Sequence, residues 1–233
     1  MSKDARPAQR VSVSDRFPSV LPSLGLPEER CGSARGSQLT TADRDLYRWI
    51  LRCFASGKVP SLGQVRTAAT ALGVEADAAL ERMVDLDLLQ RSSDGAIECA
   101  YPFSARPRGH TVVLDDGTEL HAMCAVDALG IPVMLHRDSV IRLADPATGR
   151  PIRIEASGLG EVRVADPPDA VILCAVADGP GPLSTLCCPL VNAFESSATA
   201  ERFLDSHPDL SGSILSVDDA AACGSIVFRG VLG

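Results

Sequence analysis

The sequence predicts an α+β protein in which helices come first and a mostly antiparallel sheet follows, with short helices packed on that sheet. Two patterns support this. Apolar residues recur at largely helical spacing between Thr40 and Gln90, and from His110 onward the period falls to two. No internal repeat is visible, and 233 residues with 45% hydrophobic content suffice for one substantial core and a small extra domain.

Residues 1 to about 38 mix Ser, Pro, Arg, Gly and Asp without periodicity, so they are expected to form a flexible extension. Order should begin at Thr40 or Thr41, where a hydroxyl can cap a helix carrying Leu46, Ile50, Leu51 and Phe54 on one face and ending before Gly57. A second helix is expected from Ser61 to Leu72. A third, after Gly73, is expected within Glu75 to Gln90. With Ala96 to Ala100 as a wing strand, residues 39–102 read as a winged-helix-like domain, and residues 103–233 as the sheet domain.

The first hairpin of the sheet is expected at Thr111 to Ala122, turning at Asp115-Asp116-Gly117, where the Asp-Gly pair suits positive φ. Cys124 to Leu129 then reads as a short helix, closed by Gly130 and blocked by Pro132. Strands are expected at Ser139 to Leu143, Pro151 to Ala156, Glu161 to Ala165 and Val171 to Val176. A last helix should span Ala198 to Ser206, capped near Ser196 or Ser197 and stopped by Pro208.

A net charge of −8 repels phosphate backbones and anionic lipid, so nucleic acid and membrane surfaces are poor expected partners. No run approaches the roughly 20 apolar residues of a membrane span, and no apolar signal segment follows the first ten residues. A cytoplasmic, reducing setting is therefore expected, in which the eight cysteines stay as free thiols. Cys31, Cys53, Cys99, Cys174 and Cys223 read as small apolar residues.

Two constellations could carry chemistry. In Met123-Cys124-Ala125-Val126-Asp127 a thiol and a carboxylate stand three residues apart, on one face of an opening helical turn. Exposed N–H groups there would favour the thiolate. In Leu186-Cys187-Cys188-Pro189 two adjacent thiols on extended backbone would face opposite ways, so only one should reach a given pocket, and spacing leaves open which. The absence of Cys-x-x-Cys and of close His pairs among four histidines argues against a zinc site. No phosphate-binding glycine loop or Gly-x-Ser-x-Gly elbow is present, which argues against nucleotide use and serine hydrolysis. His136, beside Met134 and Leu135, could serve as a base but reads more simply as structural.

Taken together, the hairpin Thr111 to Ala122, Cys124-Ala-x-Asp127-x-Leu129 with Pro132, the Ala147-Thr148-Gly149 turn and Cys187-Cys188 resemble the alkylmercury lyase family, over about residues 40 to 220. The resemblance implies a lyase that protonates the carbon–mercury bond without an organic cofactor, mercury being substrate and product. It implies that Cys124 and Cys187 hold the metal, that Asp127 moves the proton, and that Cys188 is secondary and faces away. External thiols, and a mercuric reductase as acceptor of the ion, are the partners the resemblance implies. Two departures stand out: Asp145 occupies a position where relatives often carry a structural cysteine, and the N-terminal extension is long. The rival expectation is a soft-metal-binding regulator whose helical domain contacts DNA.

Soft thiolates suit a soft ion whatever the family. Their donation weakens the mercury–carbon bond and leaves charge on carbon that needs a proton. Asp127, with an ordinary pKa of about 3.9, would be ionised and could take that proton from a thiol, and burial would raise its pKa and favour delivery.

Overall fold

The computed structural model describes residues 35–177 and 182–233. Three helices open this part of the chain: α1 (Thr41–Ala55), α2 (Leu62–Ala71) and α3 (Ala76–Asp85). Each begins where a side chain satisfies an orphan N–H. Thr40 accepts from Asp43 N, Ser61 forms a reciprocal capping box with Gln64, and Glu75 accepts from Asp77 and Ala78. Leu46, Ile50, Leu51 and Phe54 bury the inner face of α1, as their spacing requires.

The third helix stops five residues short of the expected limit. Asp87 adopts φ 51°, which ends it, and Leu89–Arg91 becomes strand β1, paired antiparallel with β2 (Ile97–Ala100). The start of order also differs from expectation. Residues 1–34 of the predicted flexible extension lie outside the described residues, but Arg35 is already docked: its Nη1 lies 3.0 Å from Asp87 Oδ2 and 2.5 Å from the Asp87 carbonyl oxygen.

Six more strands complete an eight-stranded antiparallel sheet: β3 (Phe103–Ser104), β4 (Thr111–Leu114), β5 (Glu119–Ala122), β6 (Ser139–Ala144), β7 (Pro151–Ala156) and β8 (Val162–Asp166). Its order is β1-β2-β3-β5-β4-β6-β7-β8. The β4–β5 hairpin turns through Gly117 at φ 86°, the conformation its Asp-Gly signal demanded. Because β2 pairs with β3 through Cys99–Ser104 and Ala100–Phe103, the sheet runs unbroken from the helical region into the rest of the chain.

Between β5 and β6 lies α4 (Ala125–Leu135), which is longer than expected: it runs straight through Gly130 and Pro132. Every residue from Ala125 to Met134 is buried. Packing on all sides offsets the backbone bond that proline forfeits, and the helix ends at His136, a left-handed cap at φ 53°. His136 thus terminates the helix at the end far from Cys124.

The second sheet, order β10-β9-β11, is formed by β9 (Val171–Ala177), β10 (Val191–Phe194) and β11 (Leu210–Ser216). Strand β9 is buried on both faces. Ile172 and Cys174 join the main core, while Leu173 and Ala175 join a smaller cluster with Phe194 and Ala200 of α6 (Ser197–Asp205). Preceding β10 are the single turn α5 (Leu183–Leu186) and a 3-10 turn, Cys188–Leu190.

The helix expected to be last is not. Strand β11 and α7 (Val217–Phe228) follow it, and α7 packs directly on α4. Its sequence is rich in Ala, Gly and Ser and lacks an apolar stripe, so periodicity does not reveal it. Ser216 accepting from Asp219 N is the capping signal that marks its start.

Candidate active site

Strand β5 delivers the site. Met123 N, just past its end, donates to the Pro102 carbonyl at 3.0 Å, which turns the chain inward so that Cys124 becomes the N-cap of α4. Cys124 Sγ accepts from Asp127 N at 3.4 Å. Both side chains are sealed from solvent, with Cys124 5% and Asp127 6% exposed.

The third member comes from the adjacent cysteines. The ligand atoms of Cys124, Asp127 and Cys188 all lie within 4.8 Å of one another. This reverses the orientation expected of the pair, because Cys188 faces the carboxylate and Cys187 is outside the cluster. The reason is local. The pair sits on a turn rather than on a strand, since Pro189, with its fixed φ, suits the start of a helical turn, and Leu190 N closes that turn on the Cys187 carbonyl at 2.8 Å. Cys187 is buried next to the group, near enough for Asp127 to act on it electrostatically.

Side chains from elsewhere in the chain hold this turn. Tyr101 Oη meets Cys188 Sγ at 3.4 Å, and Gln90 Nε2 on β1 donates to Ser184 Oγ on α5. Asn192 Nδ2 donates to the Pro189 carbonyl at 2.9 Å, so its Oδ1 is left to accept from His110 Nε2 at 3.2 Å. Burial holds His110 below the ordinary histidine pKa, which favours the neutral ring.

Protonation states follow from burial more than from the helix terminus. Cys124 was expected to be a thiolate, but burial first, then its hydrogen bond with Cys188 and the nearby Asp127, push its pKa well above that of a free thiol, and the N–H of Asp127 only partly opposes this. Cys187 is raised to about 12, again chiefly by burial. Asp127 is raised to about 7 by burial, held back by its bond with Cys124 and by the charge of Arg35. It can therefore gain or lose a proton at neutral pH. Its Oδ2 is buried with no hydrogen-bond partner among the described residues, an acceptor left unpaired inside the cluster.

Cys53, Cys99, Cys174 and Cys223 are not among the three ligand residues of this group, although Cys99 lies near enough to Cys188, and Cys174 to Cys187, to interact electrostatically. Asp145, where a cysteine was noted in relatives, is 1% exposed and acts as a brace. Its Oδ1 accepts from Ala147 N at 2.7 Å and Thr148 N at 3.2 Å, and its Oδ2 accepts from Glu195 N at 2.9 Å. The carboxylate thereby ties the β6–β7 turn to the chain entering α6. Tyr101, Arg35 and Gln90 were not visible as site residues in the sequence, because no spacing links them to the cysteines.

Residues 103–229, just over half of the chain, match the sequence profile of the alkylmercury lyase family. A Bacillus cereus protein named alkylmercury lyase is 28% identical over 182 residues, covering 78% of this chain and 80% of that protein. A Streptomyces lividans protein of the same name is 27% identical over 179 residues, covering 77% and 80%. The fold resembles the crystal structure of the mercury-bound form of MerB2, with a TM-score of 0.74 at 20% identity, covering 91% of this chain and all of that one.

Proposed function

The chain belongs to the alkylmercury lyase family, and from that membership we propose that it cleaves the carbon–mercury bond of organomercury compounds through Cys124, Asp127 and a thiol of the Cys187–Cys188 pair. The observation that carries this reading is the set of two sulfurs and one carboxylate within 4.8 Å, sealed from water. A two-coordinate soft ion finds two thiol ligands there, with a titratable oxygen beside them.

Cys124 exchanges with the ligand on R–Hg, its proton leaving with that ligand, and carries R–Hg on sulfur. As the second thiol bonds to mercury, Asp127 takes its proton. The mercury–carbon bond then breaks with its electron pair on carbon, and the Asp127 carboxylic acid delivers the proton there. A hydrocarbon leaves, and mercuric ion stays on two thiolates. A pKa of about 7 suits a group that must both accept and release a proton near neutrality. Excess small thiols, or a mercuric reductase, then remove the ion in a reducing cytoplasm. Residues 39–102 serve as a packing domain for the catalytic residues 103–233.

The geometry favours Cys188 as the second thiol. The resemblance of motifs favours Cys187, which the turn would bring in by rewinding. The test of the lyase reading is incubation with phenylmercury and excess thiol. Benzene release at multiple turnovers is expected; stoichiometric mercury uptake without benzene would instead support a metal-binding regulator.

A further inference from the structure

We propose that Asn192 is a positioning residue for the second thiol: its amide, oriented by His110, ties the turn that carries Cys187 and Cys188 to the strand end that delivers Cys124. This rests on the lyase reading, and it holds whichever sulfur of the pair bonds mercury.

The amide can stand in one sense only. A carbonyl oxygen has no hydrogen to give, so the Asn192 atom 2.9 Å from the Pro189 carbonyl is Nδ2, which donates. Oδ1 then faces His110 Nε2 at 3.2 Å, and because an amide oxygen only accepts, that ring nitrogen carries the hydrogen. Nε2 bears a hydrogen both in this neutral tautomer and in the charged ring, so the bond needs no particular charge on His110.

His110 reaches both halves of the site. Its carbonyl accepts from Ala122 N at 2.9 Å, at the end of β5 and two residues before Cys124. Its buried ring holds Asn192 on β10, 82 positions along the chain. The bonds inside the turn, by contrast, are short-range: Leu190 N to the Cys187 carbonyl, and Val191 N to the Cys188 carbonyl. They keep its shape without fixing where it sits. Through the amide, the end of β5 registers the second thiol against the first. A two-coordinate ion demands that register, since a misplacement of about 1 Å can cost about a hundredfold in rate.

Asn192 is only partly buried, so Asn192→Ala removes the link with little disturbance of the core. Its kcat for benzene release from phenylmercury should fall about tenfold, with KM within about twofold, the size of one hydrogen bond that acts on a reacting group. His110→Leu should lose as much. His110→Gln, which keeps an N–H near the place of Nε2, should stay within about threefold of wild type. The double variant Asn192→Ala/His110→Leu should be no slower than either single one, because both break one connection. Far-UV dichroism and thermal midpoints establish that each variant is folded; should His110→Leu not fold, Asn192→Ala and His110→Gln decide alone.

Full activity in Asn192→Ala, equal losses in His110→Gln and His110→Leu, or losses that multiply in the double variant would overturn the proposal. Should the wild-type protein release no benzene, the lyase reading itself fails. Positioning of the turn is then judged on mercuric ion alone, in competition with dithiothreitol: a roughly tenfold weaker affinity in Asn192→Ala supports it, and unchanged affinity refutes it.

Discussion

Gly130 of α4 and Gly224 of α7 meet backbone to backbone: a methyl group on Gly224 would stand 2.8 Å from Gly130 N, and one on Gly130 would stand 2.9 Å from the Gly224 carbonyl oxygen. Because α4 carries Cys124 at its cap and Asp127 in its first turn, this crossing sets the height at which the site sits. Gly224→Ala must push the helices apart. A loss of about 1–3 kcal/mol is expected from urea denaturation, together with slower benzene release. Wild-type stability and rate would show that the crossing yields without cost.

The two adjacent cysteines separate by single substitution. Cys124→Ser should abolish hydrocarbon release, and Cys188→Ser should lower it at least about a hundredfold, since each removes half of the bis-thiolate that weakens the bond. Cys187→Ser should stay within about tenfold of wild type, a range spanned by one ordinary interaction. Single-turnover assays check both. The reverse ranking would assign the second ligand to Cys187 and require the turn at Cys188–Leu190 to rewind when mercury binds.

Asp127 links chemistry to stability. Its folded pKa, about 7, lies above its unfolded value near 3.8, so its contribution is fully present in acid below that value and is lost as pH rises through about 7. Asp127→Asn has no charge to bury. The variant should match wild type in stability near pH 4 and exceed it by up to about 4 kcal/mol above pH 7, read from denaturation midpoints. Its rate of hydrocarbon release should fall by about a hundredfold or more. A stability difference that is flat with pH would show that the carboxylate is not desolvated.

Asp145→Ala would strand three backbone N–H groups, those of Ala147, Thr148 and Glu195. A destabilisation of about 3 kcal/mol is expected, with kcat per folded molecule unchanged. Asp145→Asn, which keeps one carbonyl acceptor, should lose less. Calorimetry beside active-site titration decides, and a fall in kcat without loss of stability would contradict the bracing role.

Much of the architecture could be read along the chain because its signals are local. Thr40 and Ser61 announce helices, Asp116-Gly117 announces a hairpin, and the three-position spacing from Cys124 to Asp127 places them on one helical face. Helix α4 escaped its apparent stops because burial on every side outweighed the weak propensities of Gly130 and Pro132. Helix α7 escaped notice because it is buried by close contact of small residues, which leaves no apolar stripe to detect.

By itself the sequence determined the local grammar: where helices begin, where the hairpin turns, and which thiol and carboxylate share a helix end. Tertiary structure alone decided that Cys188 faces Asp127, that Tyr101 touches Cys188, and that Asp127 is poised near neutrality. The physical reason is range. Capping and turn preferences act over a few residues, whereas desolvation and the meeting of residues 87 positions apart, as Tyr101 and Cys188 are, exist only once the core has closed around them.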